Sequence, residues 1–177
     1  MRVVAGQFRG RRLTAPRGTS VRPTSDRVRE ALFSILGDRV VDARVLDLFA
    51  GSGALAIEAL SRGAASATLV ESDRAAVDAI RANLEPLEDA QSQVVKADVL
   101  RWLAAERGPY DLVFADPPYS SARNLAGPLS RALPAALSPN ALIVSESDKR
   151  DPLILDFPLV DERTYGHTRI AIHHAAD

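Results

Sequence analysis

Short apolar runs alternate with segments of helical spacing along most of this chain, and that alternation restricts the fold more than any other feature. The runs are RVLDLFA (44–50), SATLVES (66–72), SQVVKAD (92–98), YDLVFAD (110–116) and NALIVSES (140–147), with helix-like stretches around 54–62, 74–84, 99–106 and 122–137. Runs that are apolar at nearly every position suit strands buried on both faces. Strands separated by helices in this order predict a parallel sheet covered on both sides, with any ligand at the carboxyl ends of the strands. Upstream, Ser25 or Asp26 can cap a helix whose apolar positions Val28, Ala31, Leu32 and Ile35 recur at helical spacing, with Gly37 as its stop. Downstream, PLVDERTYGHTRIAIHH predicts two further strands around a turn near Gly166, antiparallel at the sheet edge.

A length of 177 residues with 46% hydrophobic content predicts one domain with one sizeable core. The absence of cysteine removes disulfides, thiolate metal sites and a cysteine nucleophile, so any chemistry must come from other groups. No stretch approaches the ~20 apolar residues that span a bilayer, and the opening MRVVAGQFRGRR lacks the apolar core of a secretory signal. The expectation is a soluble cytoplasmic protein with no membrane partner.

The net charge of -1 conceals a sorting by position: residues 1–30 hold arginines 2, 9, 11, 12, 17, 22, 27 and 29 against Asp26 and Glu30, a balance of +6 against -7 for the remainder. A basic arm on an acidic body is the footprint of a polyanion-binding segment, since neutralising phosphates releases counterions. A solvated arm paired with its own acidic body is the competing reading. Gly6, Gly10, Pro16 and Gly18 suggest a looped or hairpin arm.

In LDLFAGSGALAIEAL (46–60), Gly51 and Gly53 fall between a strand and a helix, where missing side chains let the backbone turn and approach a ligand. Asp47 is more telling, because a carboxylate near the end of an apolar strand is costly to bury without a cationic or hydrogen-bonding partner, and a ligand ammonium would be one. Glu71 ends the second strand, where an acidic side chain can accept ribose hydroxyls, and Asp98 ends the third, placed for an adenine edge. For each, capping the following helix is the alternative. Gly51, Gly53 and Ala56 also satisfy a loose dinucleotide-binding pattern, although Asp47 would add repulsion at a pyrophosphate and the chain is short for a second, substrate domain.

FADPPYSS (114–121) follows the fourth strand. Asp116 and Pro117 each precede a proline, which holds the loop extended and stiff. Neither proline has an N–H, so the loop presents the Asp116 carboxylate and carbonyl oxygens with few donors of its own. The complement is an exocyclic amino group, one hydrogen to Asp116 and one to the Pro117 carbonyl, with Tyr119 as a face for stacking a base. A proline-stiffened strand exit with a packed tyrosine is the bland reading.

DLFAGSG followed by DPPY resembles the class I S-adenosylmethionine-dependent methyltransferases that modify exocyclic amino groups. VVAGQFRGRRL and RPTSDRVREALFSIL resemble the N-terminal part of the RsmD-type bacterial 16S rRNA guanine-N2 methyltransferases. The resemblance implies a Rossmann-like fold: a mostly parallel seven-stranded sheet with an antiparallel edge strand, helices on both faces and a basic arm. Residues 1–25 would be that RNA-binding arm, an extension of the same domain, and 26–177 the methyltransferase domain. It implies S-adenosylmethionine without a metal. Asp47, Gly51 and Gly53 would hold the methionine half, Glu71 the ribose and Asp98 the adenine region, with Phe49, Ser72 and Val99 also at the cofactor. Asp116, Pro117, Pro118 and Tyr119 would form the catalytic loop, Asp116 also bordering the cofactor. Arg2, Arg9, Arg11, Arg12, Arg17 and Arg22 would grip 16S rRNA in the small ribosomal subunit or an assembly intermediate, the protein acting as a monomer. A DNA adenine-N6 or protein glutamine methyltransferase would share the two central motifs, and a non-catalytic ribosome assembly factor only the arm. Trp102 is expected to pack with Leu100 and Leu103, and the adjacent His173 and His174 are poor geometry for one metal.

Overall fold

The computed structural model describes residues 1–16, 25–87, 90–105, 108–118 and 121–175. Seven strands form one sheet: β1 (Arg44–Leu48), β2 (Ser66–Glu71), β3 (Ser92–Lys96), β4 (Tyr110–Ala115), β5 (Leu137–Asp148), β6 (Leu159–Tyr165) and β7 (Thr168–His174), in the order β3-β2-β1-β4-β5-β7-β6. The first five run parallel. The tail makes an antiparallel hairpin at the sheet edge: β7 runs against β5, and β6 lies outside it. The chain steps from β1 to β2 and β3 on one side, then returns to place β4 on the other. The carboxyl ends of β1 and β4 therefore flank the strand-order reversal where open sheets of this class bind ligands.

The helices are α1 (Asp26–Leu36), α2 (Ala54–Ser61), α3 (Arg74–Leu84), α4 (Val99–Leu103) and α5 (Ala122–Ala132). Ser25 caps α1 by accepting from Val28 N at 3.2 Å, and Gly37 ends it. The last helix stops short of the 122–137 span predicted for it. Its chain tightens into a 3-10 turn at Leu133–Ala136 around Pro134, whose ring disfavours further α-helix. Alternate strand positions face opposite layers. Val45, Phe114, Val144 and Ile170 pack toward Leu32, Phe33, Leu55, Ile57 and Ile80 of α1, α2 and α3, while Leu46, Leu48, Val113 and Ile143 pack toward Leu103 and Leu129 of α4 and α5. Trp102 is half-buried against Tyr110, with ring centroids 6.4 Å apart.

Helix α2 is buried at every position, Glu58 included, so something must cover its outer side. The N-terminal segment does. Its backbone folds back on itself (Val3 N to Arg11 O 2.9 Å, Gly10 N to Val3 O 2.9 Å, Leu13 N to Met1 O 3.0 Å) and buries Val3, Phe8 and Leu13 in the main core. Glu58 accepts from Val4 N at 2.8 Å and Ala5 N at 3.0 Å, and Ser61 Oγ accepts from Phe8 N at 3.0 Å. Arg29, counted above with the basic arm, is fully buried: it pairs with Asp26 at 3.1 Å, lies 3.8 Å from Glu58 and donates to the Arg2 carbonyl. It is a structural pin, unavailable to an external anion.

Gly6 makes the docking possible. Its φ is +81°, and a Cβ there would lie 1.7 Å from the Ser61 carbonyl oxygen. Gly6→Ala is therefore expected to detach residues 1–14 from α2, giving up ~1.5–3 kcal/mol for each large apolar side chain re-exposed. Amide hydrogen exchange reads it directly: protection at Val3, Val4, Ala5 and Phe8 should be lost, and unchanged protection would refute the account.

Candidate active site

Asp47 is the fourth residue of β1, on the α1–α3 side of the sheet, and only 2% exposed. It accepts from Ala56 N, in the first turn of α2, at 3.1 Å. Burial pushes its pKa up to about 8; the Ala56 hydrogen bond pulls against this, and the charge of Glu71 adds to it. Among the described residues no cation pairs with this carboxylate, and a ligand ammonium would be such a partner.

The loop that follows is built on left-handed backbone. Phe49, Gly51 and Gly53 have φ of 63°, 56° and 76°. A side chain on Gly53 would also meet Leu69 Cδ2 at 3.0 Å, so this position combines a conformation and a clearance that favour glycine. The ring of Phe49, a residue type that rarely adopts such φ, packs against the α4–α5 core layer. Glu71 ties the loop down: Oε2 accepts from Gly51 N at 3.0 Å, and Oε1 from Ser72 N at 2.7 Å and Asp73 N at 2.9 Å. Any ribose contact by Glu71 would add to these bonds. Asp98 caps α4, its Oδ1 accepting from Arg101 N at 2.9 Å, and the Val99 side chain is buried in the α4–α5 layer. The capping alternative is thus realised at Asp98, where Oδ1 serves the helix.

Asp116 leaves β4 on the same side of the sheet as Asp47. Pro117 is buried, Pro118 is exposed, and the Pro118 carbonyl accepts from Ser121 N at 2.9 Å. Burial raises the Asp116 pKa well above the carboxylate range, the charge of Glu146 adds to that, and Asp47 contributes further. Glu146, 5% exposed on β5, lines the same concavity as Asp116 and is a candidate that the sequence reading missed. Its signal was the one that picked out Asp47, a carboxylate ending an apolar run.

The fold thus brings Asp47, the 49–53 loop, Glu71 and Asp116 to the carboxyl ends of three neighbouring strands, with Asp98 beyond β3. Arg2, Arg9, Arg11 and Arg12 are exposed on the docked hairpin. Arg17, Arg22 and Tyr119 lie outside the described residues. His173 is buried with Nδ1 3.0 Å from the Phe157 carbonyl oxygen, and burial lowers its pKa.

Known proteins resemble this chain in sequence and in fold. Ribosomal RNA small subunit methyltransferase D of Escherichia coli is 49% identical over 119 residues, which cover 67% of this chain and 60% of that protein. The protein of the same name from Haemophilus influenzae is 38% identical over 174 residues, covering 94% and 89%. The solved structure of yhhF from Escherichia coli superposes with a TM-score of 0.85 at 40% identity, covering 99% of this chain and 97% of that one. The sheet order and these likenesses make the fold a Rossmann-like class I methyltransferase fold. The family described as Conserved hypothetical protein 95 matches residues 1–174, and this chain belongs to it, the family of the RsmD-type methyltransferases.

Proposed function

We propose that this chain binds S-adenosylmethionine over the 49–53 loop and methylates the exocyclic N2 amino group of a guanine in small-subunit rRNA. The observation that carries this reading is the meeting, across the strand-order reversal, of a buried carboxylate that no cation among the described residues pairs with and a stiff acceptor loop, Asp47 and Asp116-Pro117-Pro118. The names of the relatives support rRNA over DNA or protein as substrate.

S-adenosylmethionine, when bound, supplies a methyl group activated by a sulfonium centre. Asp47 would hold its ammonium, the 49–53 loop its amino-acid half, Glu71 and Ser72 its ribose, and Asp98 with the Val99 backbone its adenine. The guanine amino lone pair is delocalised into the ring, so it is a poor nucleophile. Hydrogen bonds from the amino group to Asp116 and the Pro117 carbonyl favour a more tetrahedral nitrogen and free that lone pair. As positive charge develops on nitrogen, the anionic Asp116 stabilises it more in the transition state than in the ground state. Tyr119 offers a stacking face to the base. A paired base cannot enter, so the target must be unpaired or flipped, at a cost of a few kcal/mol. A ribosomal substrate would put the enzyme in the cytoplasm, where it acts as a monomer.

Methyl transfer from labelled cofactor to small ribosomal subunits lacking the modification tests the reading. N2-methylguanosine in the nucleoside digest is the expected product, and no transfer to rRNA would overturn it. The docked hairpin makes a second prediction. Reversing Arg9, Arg11 and Arg12 to Glu should weaken rRNA binding by an order of magnitude or more and reduce the slope of log K against log salt concentration by roughly 0.7–0.9 for each phosphate no longer neutralised. Cofactor affinity should be unchanged. A filter-binding salt titration measures both effects, and unaltered RNA affinity would remove the hairpin from the interface.

A further inference from the structure

Glu146 stands beside Asp116 by construction. The parallel pairing of β4 and β5 runs through Phe114 with Val144 and Ala115 with Ser145, so the next positions on the two strands are Asp116 and Glu146. Both continue the side of the sheet that carries Phe114, Val144 and Asp47. Both line one narrow concavity with Leu32, Leu55, Ala115, Val144 and Ile170. Among the described residues its walls are apolar apart from these two carboxylates, and the charge of Glu146 helps to hold the Asp116 proton. A ligand edge with two neighbouring hydrogen-bond donors would relieve that repulsion, because each carboxylate accepts a hydrogen bond in its charged form.

Guanine's Watson–Crick edge has that pattern: the N2 amino group and the adjacent N1–H are both donors. Adenine offers an amino donor beside an acceptor nitrogen, and cytosine does the same. Building on the methyltransfer reading above, we propose that Glu146 is the specificity residue of the site, accepting the guanine N1–H while Asp116 accepts from the amino group that is methylated. Glu146 makes the pocket reject bases whose ring nitrogen beside the amino group is itself an acceptor. A site built to accept a particular hydrogen discriminates strongly, because the wrong base leaves a buried acceptor facing another acceptor.

The test separates N1–H recognition from amino-group chemistry. Small subunits are reconstituted with 16S rRNA carrying guanine or 2-aminopurine at the methylated position. 2-Aminopurine keeps the reactive amino group and replaces N1–H by an acceptor nitrogen. The natural protein should methylate guanine on the order of 100-fold faster in kcat/KM. Glu146→Gln, whose amide can turn its NH2 toward the acceptor nitrogen, should narrow that ratio to within about tenfold, with residual methylation of guanine. Equal rates on both bases with the natural protein would overturn the proposal without any variant, and so would an unchanged ratio in Glu146→Gln. Absence of methylation on guanine-containing subunits would instead defeat the underlying methyltransfer reading.

Discussion

Asp116→Ala should lower methyl transfer by about 10²–10³-fold, the usual loss when one group aimed at transition-state charge is removed, while S-adenosylmethionine affinity stays within a few-fold. The split follows from position: Asp116 belongs to the loop after β4, whereas the 49–53 loop follows β1 and Glu71 ends β2. Asp116→Asn should fall between, keeping an acceptor and losing the charge. The pH profile adds a signature that a merely structural role would not produce. Burial, Glu146 and Asp47 raise the Asp116 pKa in the free protein, and the ionised form is the one that stabilises positive charge on nitrogen. The kcat/KM should therefore rise with pH through that raised pKa, and Asp116→Asn should lose this limb. Steady-state kinetics from pH 5 to 9 with equilibrium cofactor binding measures all of this. Loss of cofactor binding along with activity in Asp116→Ala would reassign the residue.

Asp47→Asn should separate stability from binding in the opposite sense. The carboxyl of Asp47 is raised from 3.8 to about 8 in the folded chain. Between those values the native state holds a proton that the unfolded state has released, so this group's contribution to stability is full below the unfolded pKa and is lost as pH rises toward 8. A neutral Asn removes that slope. The ligand-free variant should melt several degrees above the natural protein at pH 8 and close to it at pH 4, with ~2–4 °C expected per kcal/mol in a chain of this size. Its affinity for S-adenosylmethionine should fall by about 10²-fold or more, because the ammonium loses its buried counter-charge. Thermal melts across pH paired with calorimetric titration give both readouts. A variant that melts lower at pH 8 would show that the Asp47 carboxylate is already compensated within the protein.

Much of the fold was legible because most strands carried a local mark, although β5 begins at Leu137, within the span read as helical. Continuous apolar runs announced doubly covered strands, and Ser25 and Gly37 bounded α1 as capping chemistry requires. The candidate site was legible where a residue broke the local rule. Asp47 and Asp116 are carboxylates closing apolar runs, and a double proline is rare punctuation. Glu146 in ALIVSES and Glu58 in ALAIEALS broke the same rule and went unread, Glu58 although it lies within LDLFAGSGALAIEAL. Arg29 misled the charge count: on a helix it reads as an exposed cation, and only the nearness of Glu58, Asp26 and the Arg2 carbonyl shows it buried.

The order of elements, the glycine loop and the acceptor loop were determined by the sequence alone, since each depends on interactions among neighbours in the chain. Which carboxylates share a pocket was decided only in three dimensions, because strand order brings β4 and β5 beside each other and register sets Asp116 next to Glu146. The docking of the N-terminal hairpin belongs there too. Val3, Phe8 and Leu13 recur every five residues, which is neither a helical nor a strand period, and the face they cover exists only once Glu58 and Ser61 are aligned along α2. Long-range burial of this kind depends on surfaces that the chain assembles by folding, which no local pattern contains.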